Sequence, residues 1–406
     1  MKKINVIASV LLCVLLCFAL VGCNNREELP QNAKVLPINP QEDLISVGDV
    51  LLDTSSEMQQ PDFSRVTPTF QTYLPQNTSE RSDLLAEHAL LLCSANEKSA
   101  DADNFRAAGL EVLSQYNYEK PSGDVSHTCA YTMGKKSITY GGETRTLVVV
   151  DVRGTTDGEW FSNFDVAPSG REDSVFAENF LAAATELQLK LDDELRSQAI
   201  VEPLLLVCGH SRGGAVANLL SLFVNAKYGK NNVFVYTFAT PRTVKSTYAA
   251  DCSNVFNYVN EADVVTKMPL EKWGFARLGT DIVLKPNEDH ILAEVEDCIS
   301  ILQSVAPSIT VYYGSRYSLL SGGTSADGIT PYELMLCCCT LIDGGMGEAS
   351  SLVTSLNAVS SESAYAQLFQ KVNYFTKNLS QAVLLGSQHF QGSYHKQILS
   401  LISAEV

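Results

Sequence analysis

Gly209-His210-Ser211-Arg212-Gly213 stands between two apolar runs, Leu204-Leu205-Leu206-Val207 before it and a longer one opening at Ala215-Val216-Ala217 after it. A serine in Gly-x-Ser-x-Gly at a sharp strand-to-helix turn is lifted clear of the sheet, and the flanking glycines omit side chains that would collide across the corner. The helix that follows would aim free N–H groups and its positive dipole end at the serine, with the Arg212 amide as the first donor to a developing oxyanion. The chemistry so sketched is acyl transfer through Ser211.

A serine hydroxyl attacks only when a base takes its proton, and the base needs a carboxylate to fix its tautomer and stabilise its charged form. Asp263 is the best-placed carboxylate, in Glu261-Ala262-Asp263 at the end of the apolar run Val255 to Val259. Three histidines follow it: His290, His389 and His395. His395 is the first choice, in Gln391-Gly392-Ser393-Tyr394-His395 just before the apolar Ile398 to Ile402, where a loop-borne base would be braced by a helix. His290, shortly after the strand Asp281 to Leu284, and His389 are the alternatives. His210 beside the nucleophile reads as support for the turn.

The elements that must position these groups alternate along the chain. Helical periodicity runs from Ser82 through Leu84, Leu85, Ala89, Leu91 and Leu92, and a second helix is predicted from about Asn104 to Tyr116. Strands are predicted over Ser126 to Met133 and Glu143 to Val152, joined around Gly141-Gly142. A helix from about Ser174 to Leu195 precedes the nucleophile strand, and a helix from Gly213 to Asn225 follows it. Val233 to Ala239 and Val255 to Val259 are further buried strands. The pattern predicts an α/β fold with a mostly parallel central sheet and helices on both faces, which puts reactive groups at the carboxyl ends of the strands. From about Asn287 the sequence turns helical with Ser/Gly-rich breaks, predicting a helical insertion over about 300–385 that is a cap over the site or a structural extension.

At the other end, Met1-Lys2-Lys3, an apolar stretch to Leu20 and then Leu20-Val21-Gly22-Cys23 have the charged start, apolar middle and small-residue end of an export signal. The ending resembles the lipobox of bacterial lipoproteins, in which cleavage precedes the cysteine and that cysteine is lipidated. The expected division is a signal peptide over 1–22, a polar tether over 23–80 that partly packs on the body, and a catalytic domain over 81–406. Lipidated Cys23 would hold the protein on the extracytoplasmic face of a bacterial membrane. The net charge of −17 becomes about −19 once Lys2 and Lys3 are removed, a field that repels nucleic acid and anionic head groups. Of the eleven cysteines, Cys13, Cys17 and Cys23 fall in or at the end of the leader, and Cys337-Cys338-Cys339 lies in an apolar run where free cysteine acts as a small hydrophobe. Mostly free thiols are expected, although an exported location allows a disulfide such as Cys93 to Cys129. No Cys-x-x-Cys or His-x-x-x-His pair suggests a metal, and no cofactor is expected.

Four blocks in order are similar to the class 3 lipase family, the α/β-hydrolases typified by fungal triacylglycerol lipases. Val148-Val149-Val150-Asp151-Val152-Arg153-Gly154-Thr155 with Trp160 resembles that family's strand ending in Arg-Gly-Ser/Thr and a nearby tryptophan. Gly209 to Ala215 resembles its Gly-His-Ser-Leu-Gly-Gly-Ala turn, with Arg212 in place of leucine. Thr237-Phe238-Ala239-Thr240-Pro241-Arg242 resembles its Phe-Gly-x-Pro-Arg block, and Asn260 to Pro269 its catalytic-aspartate block. The resemblance implies Ser211 as nucleophile, Asp263 as acid, a C-terminal histidine as base, and Thr155 as the second oxyanion donor beside Arg212.

The function expected is that of a membrane-tethered serine hydrolase cleaving carboxylic esters, those of lipids first, through an acyl-enzyme. A thioesterase or acyltransferase would use the same groups, and a catalytically inactive binding protein on the same scaffold would need none of them. The substrate would be a lipid or small ester. If Cys23 is the anchor, Cys23→Ala expressed in a bacterial host should lose both metabolic fatty-acid labelling and membrane association; a labelled, membrane-bound variant refutes it.

Overall fold

The computed structural model describes residues 61–95, 97–118, 129–154, 175–261, 263, 265–267, 271, 274–286 and 388–404. The leader with Cys23, the tether up to residue 60, Thr155, His290 and the insertion over 300–385 lie outside the described residues. The chain divides into two compact units. One is built from Gln60–Asn260, Val265–Leu284 and Gln391–Val406; the other includes Glu261–Val264 and Lys285–Phe390.

In the first unit, continuous apolar runs form the middle of a seven-stranded sheet, as strands covered on both faces require. Its strands are β1 (Glu111–Tyr116), β2 (Tyr131–Tyr140), β3 (Glu143–Val152), β4 (Leu204–His210), β5 (Val233–Phe238), β7 (Val255–Asn260) and β9 (Thr280–Leu284). They lie in the order β1-β2-β3-β4-β5-β7-β9. β1, β2 and β3 are antiparallel neighbours, and every pair from β3 to β9 is parallel. The short β6 (Val244–Lys245) and β8 (Phe275–Ala276) pair separately.

The helices are α1 (Asp83–Leu92), α2 (Lys98–Ala107), α3 (Glu178–Ser197), α4 (Arg212–Tyr228) and α5 (Gln391–Ala404). Side chains alternate along a strand, so each parallel strand feeds two cores. Val148, Val150, Leu205, Val207, Val233 and Val235 pack with α3 and α4, while Val149, Leu204, Leu206, Phe234 and Tyr236 pack with α1 and α5. A mostly parallel sheet with helices on both faces is the α/β-hydrolase architecture. Among the described residues, no helix is long and apolar enough to cross a membrane.

Three sequence expectations change. The predicted helix from Asn104 to Tyr116 is two elements, because Gly109, at φ +70°, ends α2 and Glu111–Tyr116 joins the sheet edge as β1. The strand predicted over Ser126 to Met133 instead runs from Tyr131 to Tyr140. Pairing with β3 carries it through the polar Lys135-Lys136-Ser137 to a tight turn at Gly141-Gly142. Cys93 and Cys129 are both buried, and the disulfide that an exported location would allow between them is not formed. Within the stretch assigned to the tether, Phe70 and Leu74 are buried in the core beside α1.

The sheet and α4 meet most tightly at glycine. A Cβ on Gly213 would run into the Val152 carbonyl oxygen, and one on Gly209 into the Gly213 carbonyl. These backbones touch where no side chain fits. Gly213→Ala should therefore cost roughly 1–3 kcal/mol of stability, read as a lowered midpoint in denaturant unfolding; an unchanged midpoint would show that α4 shifts freely away from β3.

Candidate active site

Ser211 links β4 to α4 at φ +58° and ψ −123°, a conformation that costs a non-glycine residue energy and persists only where the surroundings impose it. The surroundings are hydrogen bonds on both sides: the Ser211 N–H donates to the Phe238 carbonyl at 2.9 Å, and the Ala215 N–H to the Ser211 carbonyl at 3.0 Å. Ser211 stands at the N-cap of α4, yet its hydroxyl makes no capping bond. Arg212 opens the helix, which leaves its amide among those without an intrahelical acceptor. Its side chain is buried, with the guanidinium 5.5 Å from the centre of the Phe180 ring.

The end of β3 lies beside this turn. A Cβ on Gly154 would sit 3.3 Å from the His210 carbonyl oxygen and 3.7 Å from the Ser211 Cβ. The residue that follows, Thr155, is the expected second oxyanion donor and lies outside the described residues.

Asp263, three positions beyond the last residue of β7, is fully buried. Its imidazole partner is His389: Nδ1 lies 2.9 Å from Asp263 Oδ2. Nδ1–H donates to the carboxylate, which makes Nε2 the ring nitrogen turned away from Asp263.

The structure bonds His395, the base expected from the sequence, to groups other than Asp263. It is no loop residue but part of α5, and both of its ring nitrogens are used in the first unit. Nε2–H donates to Glu87 Oε1 at 3.2 Å, and Nδ1 accepts from the Asp62 N–H at 3.4 Å. The helix begins at Gln391 rather than near Ile398, so His395 lies within it and His389 two residues before it.

Sequence reading missed Tyr394 and Glu87. The Tyr394 hydroxyl accepts from the Asn260 N–H at 3.0 Å at the end of β7, and its ring meets His210 edge-on at 5.9 Å between centroids. His210 thus supports the turn through α5. Arg277 holds the neighbouring loops, donating to the carbonyls of Thr240 and Thr266 while pairing with Asp281.

Residues 149–273 match the model of the class 3 lipases. The match takes in the strand to Gly154, the Ser211 turn and Asp263. Within the chain, 110 residues are 32% identical to a secreted mono- and diacylglycerol lipase of Gibberella zeae, covering 23% of this chain and 26% of that protein. The chain therefore aligns with only a minor part of that relative. Among solved structures, the Rhizomucor miehei triacylglyceride lipase is similar at 17% identity over 50% of this chain and 80% of its own, with a TM-score of 0.37. The lipase from Rhizopus microsporus var. chinensis is similar at 13% identity over 66% and 85%, with a TM-score of 0.36.

The His395–Glu87 pair has a consequence for acid stability. Burial would raise the Glu87 carboxyl, but hydrogen bonds from His395 and Arg65 outweigh it and lower the pKa from 4.5 to about 2. A depressed folded-state pKa contributes stability above the unfolded value that is lost as pH falls through the folded one. Between about pH 4.5 and 2, Glu87→Gln should therefore lose less stability than the parent in urea melts; equal slopes would show that the pair carries no acid sensitivity.

Proposed function

We propose that the chain is a serine hydrolase of lipid esters, with Ser211 as nucleophile, His389 as base and Asp263 as the carboxylate that orients it. The observation that carries the reading is the pairing of His389 with buried Asp263 in a chain whose only Gly-x-Ser-x-Gly turn holds its serine at positive φ. The match of residues 149–273 to class 3 lipases, which takes in Ser211 and Asp263, supports the hydrolase reading.

In the proposed reaction His389 Nε2 takes the Ser211 proton as the oxygen attacks the ester carbonyl, and Asp263 stabilises the imidazolium so formed. The tetrahedral oxyanion would be met by the Arg212 amide, the positive end of α4 and a donor from Thr155. Collapse expels the alcohol as His389 returns the proton, and water then cleaves the acyl-Ser211 ester by the same route. Anchoring through a lipidated Cys23 on the extracytoplasmic membrane face, also proposed, would put such a site next to its substrates. Mono- and diacylglycerols are the first substrates to try, given the relative in Gibberella zeae.

The histidine assignment gives a sharp test. His389→Ala should lower kcat on p-nitrophenyl esters by several orders of magnitude and slow labelling of Ser211 by a fluorophosphonate probe. His395→Ala should retain turnover once corrected for any loss of folded protein. An active His389→Ala variant refutes the assignment, and absence of labelling in the parent refutes the hydrolase reading itself.

A further inference from the structure

On the α1 side of the sheet lies a cluster that the hydrolase chemistry does not use. Asp151 on β3 is paired directly with Cys208 on β4, and Cys93 follows the last residue of α1. The two sulfurs and an Asp151 oxygen all lie within 4.8 Å of one another, and all three residues are buried. Asp151 is fully inaccessible, and no N–H or hydroxyl donor reaches either of its carboxylate oxygens; the side chain in hydrogen-bond reach of it is another carboxyl, that of Asp101. Oδ1 of Asp101 likewise meets no such donor. Buried polar atoms are nearly always satisfied, and two buried carboxyls in contact are satisfied only by positive charge between or beside them, a shared proton or a cation.

We propose that Cys93, Cys208 and Asp151 form a structural site for a thiophilic divalent cation, zinc above all. Zinc takes thiolate at about 2.3 Å and carboxylate at about 2.0–2.2 Å. Tetrahedral ligand atoms then stand roughly 3.5–4 Å apart, so the cluster closes on an ion by side-chain adjustment. The second Asp151 oxygen or Asp101 Oδ1 supplies the remaining position. Two sulfurs disfavour magnesium and calcium, and full burial fits a closed structural site. Burial, with the neighbouring acids, pushes the Cys93 thiol and Asp151 carboxyl well above their ordinary values, and a bound dication reverses that preference. The ion would clamp α1 to β3 two residues before Arg153 and to β4 three residues before Ser211.

The test uses the full chain, purified in reductant without added metal, and does not depend on ester turnover. Plasma mass spectrometry should find about one zinc per chain, and cobalt loaded after chelation should give a thiolate-to-cobalt charge-transfer band. Cys208→Ser should abolish the band. Asp151→Asn, which keeps both sulfurs, should weaken zinc binding by at least the ~10-fold that even an outer-sphere partner costs. The proposal is overturned if the parent chain takes up neither zinc nor cobalt, whether peptide mapping then finds a Cys93–Cys208 disulfide or two free thiols. It is also overturned if Asp151→Asn binds zinc as tightly as the parent.

Discussion

Backbone-on-backbone contact at Gly209, Gly213 and Gly214 governs the rest of this structure. A strand can pass into a helix through one residue only if the first turn of the helix lies almost against the strand it leaves, and side chains at these positions would collide with the carbonyls of Gly213 and Val152 and with the Thr240 hydroxyl. That closeness forces Ser211 to positive φ and leaves its side chain outside the helix cap. The strain is held in place by the apolar packing of α4, which is buried along most of its length between the sheet and α3.

The same tightness fixes the strand register. β3 and β4 pair from Leu147 with Leu204 to Val152 with Gly209, and this alignment brings Gly154 alongside Ser211. A slip of one residue would exchange the two faces of β3, turning Val148 and Val150 out of one core and Leu147 and Val149 out of the other. The apolar runs therefore do more than bury surface. They set which atoms stand beside Ser211.

What could be read from the sequence follows from how local its cause is. The Ser211 turn, β3 to β5 and α4 are legible because apolar runs and paired glycines act within a few residues. The pairing partner of His389 could be singled out as a candidate because Asp263 follows closely on a buried strand. The helix wrongly extended to Tyr116 shows the opposite case: Glu111–Tyr116 becomes a strand only through its pairing with β2, a contact that no local propensity contains. His389 and His395 differ by six positions, and the choice between them turns on where α5 starts and on Glu87, some three hundred residues earlier. The cluster of Cys93, Asp151 and Cys208 escapes spacing rules altogether, since each residue comes from a different element.

α5 shows how a segment distant in sequence is fixed on the sheet. It packs on the sheet about a hundred residues after β9 in the sequence, and its contacts are of two kinds. Ile398 and Tyr394 supply apolar burial in the core shared with α1, which gives affinity without fixing position. Position comes from directional bonds: the Tyr394 hydroxyl to the Asn260 amide at the end of β7, and His395 to Glu87 on α1. The first of these lies three residues before Asp263, and α5 itself begins two residues after His389. One helix is thus tied to the end of β7 and to α1 at once, so its docking fixes where the C-terminal segment lies on the sheet.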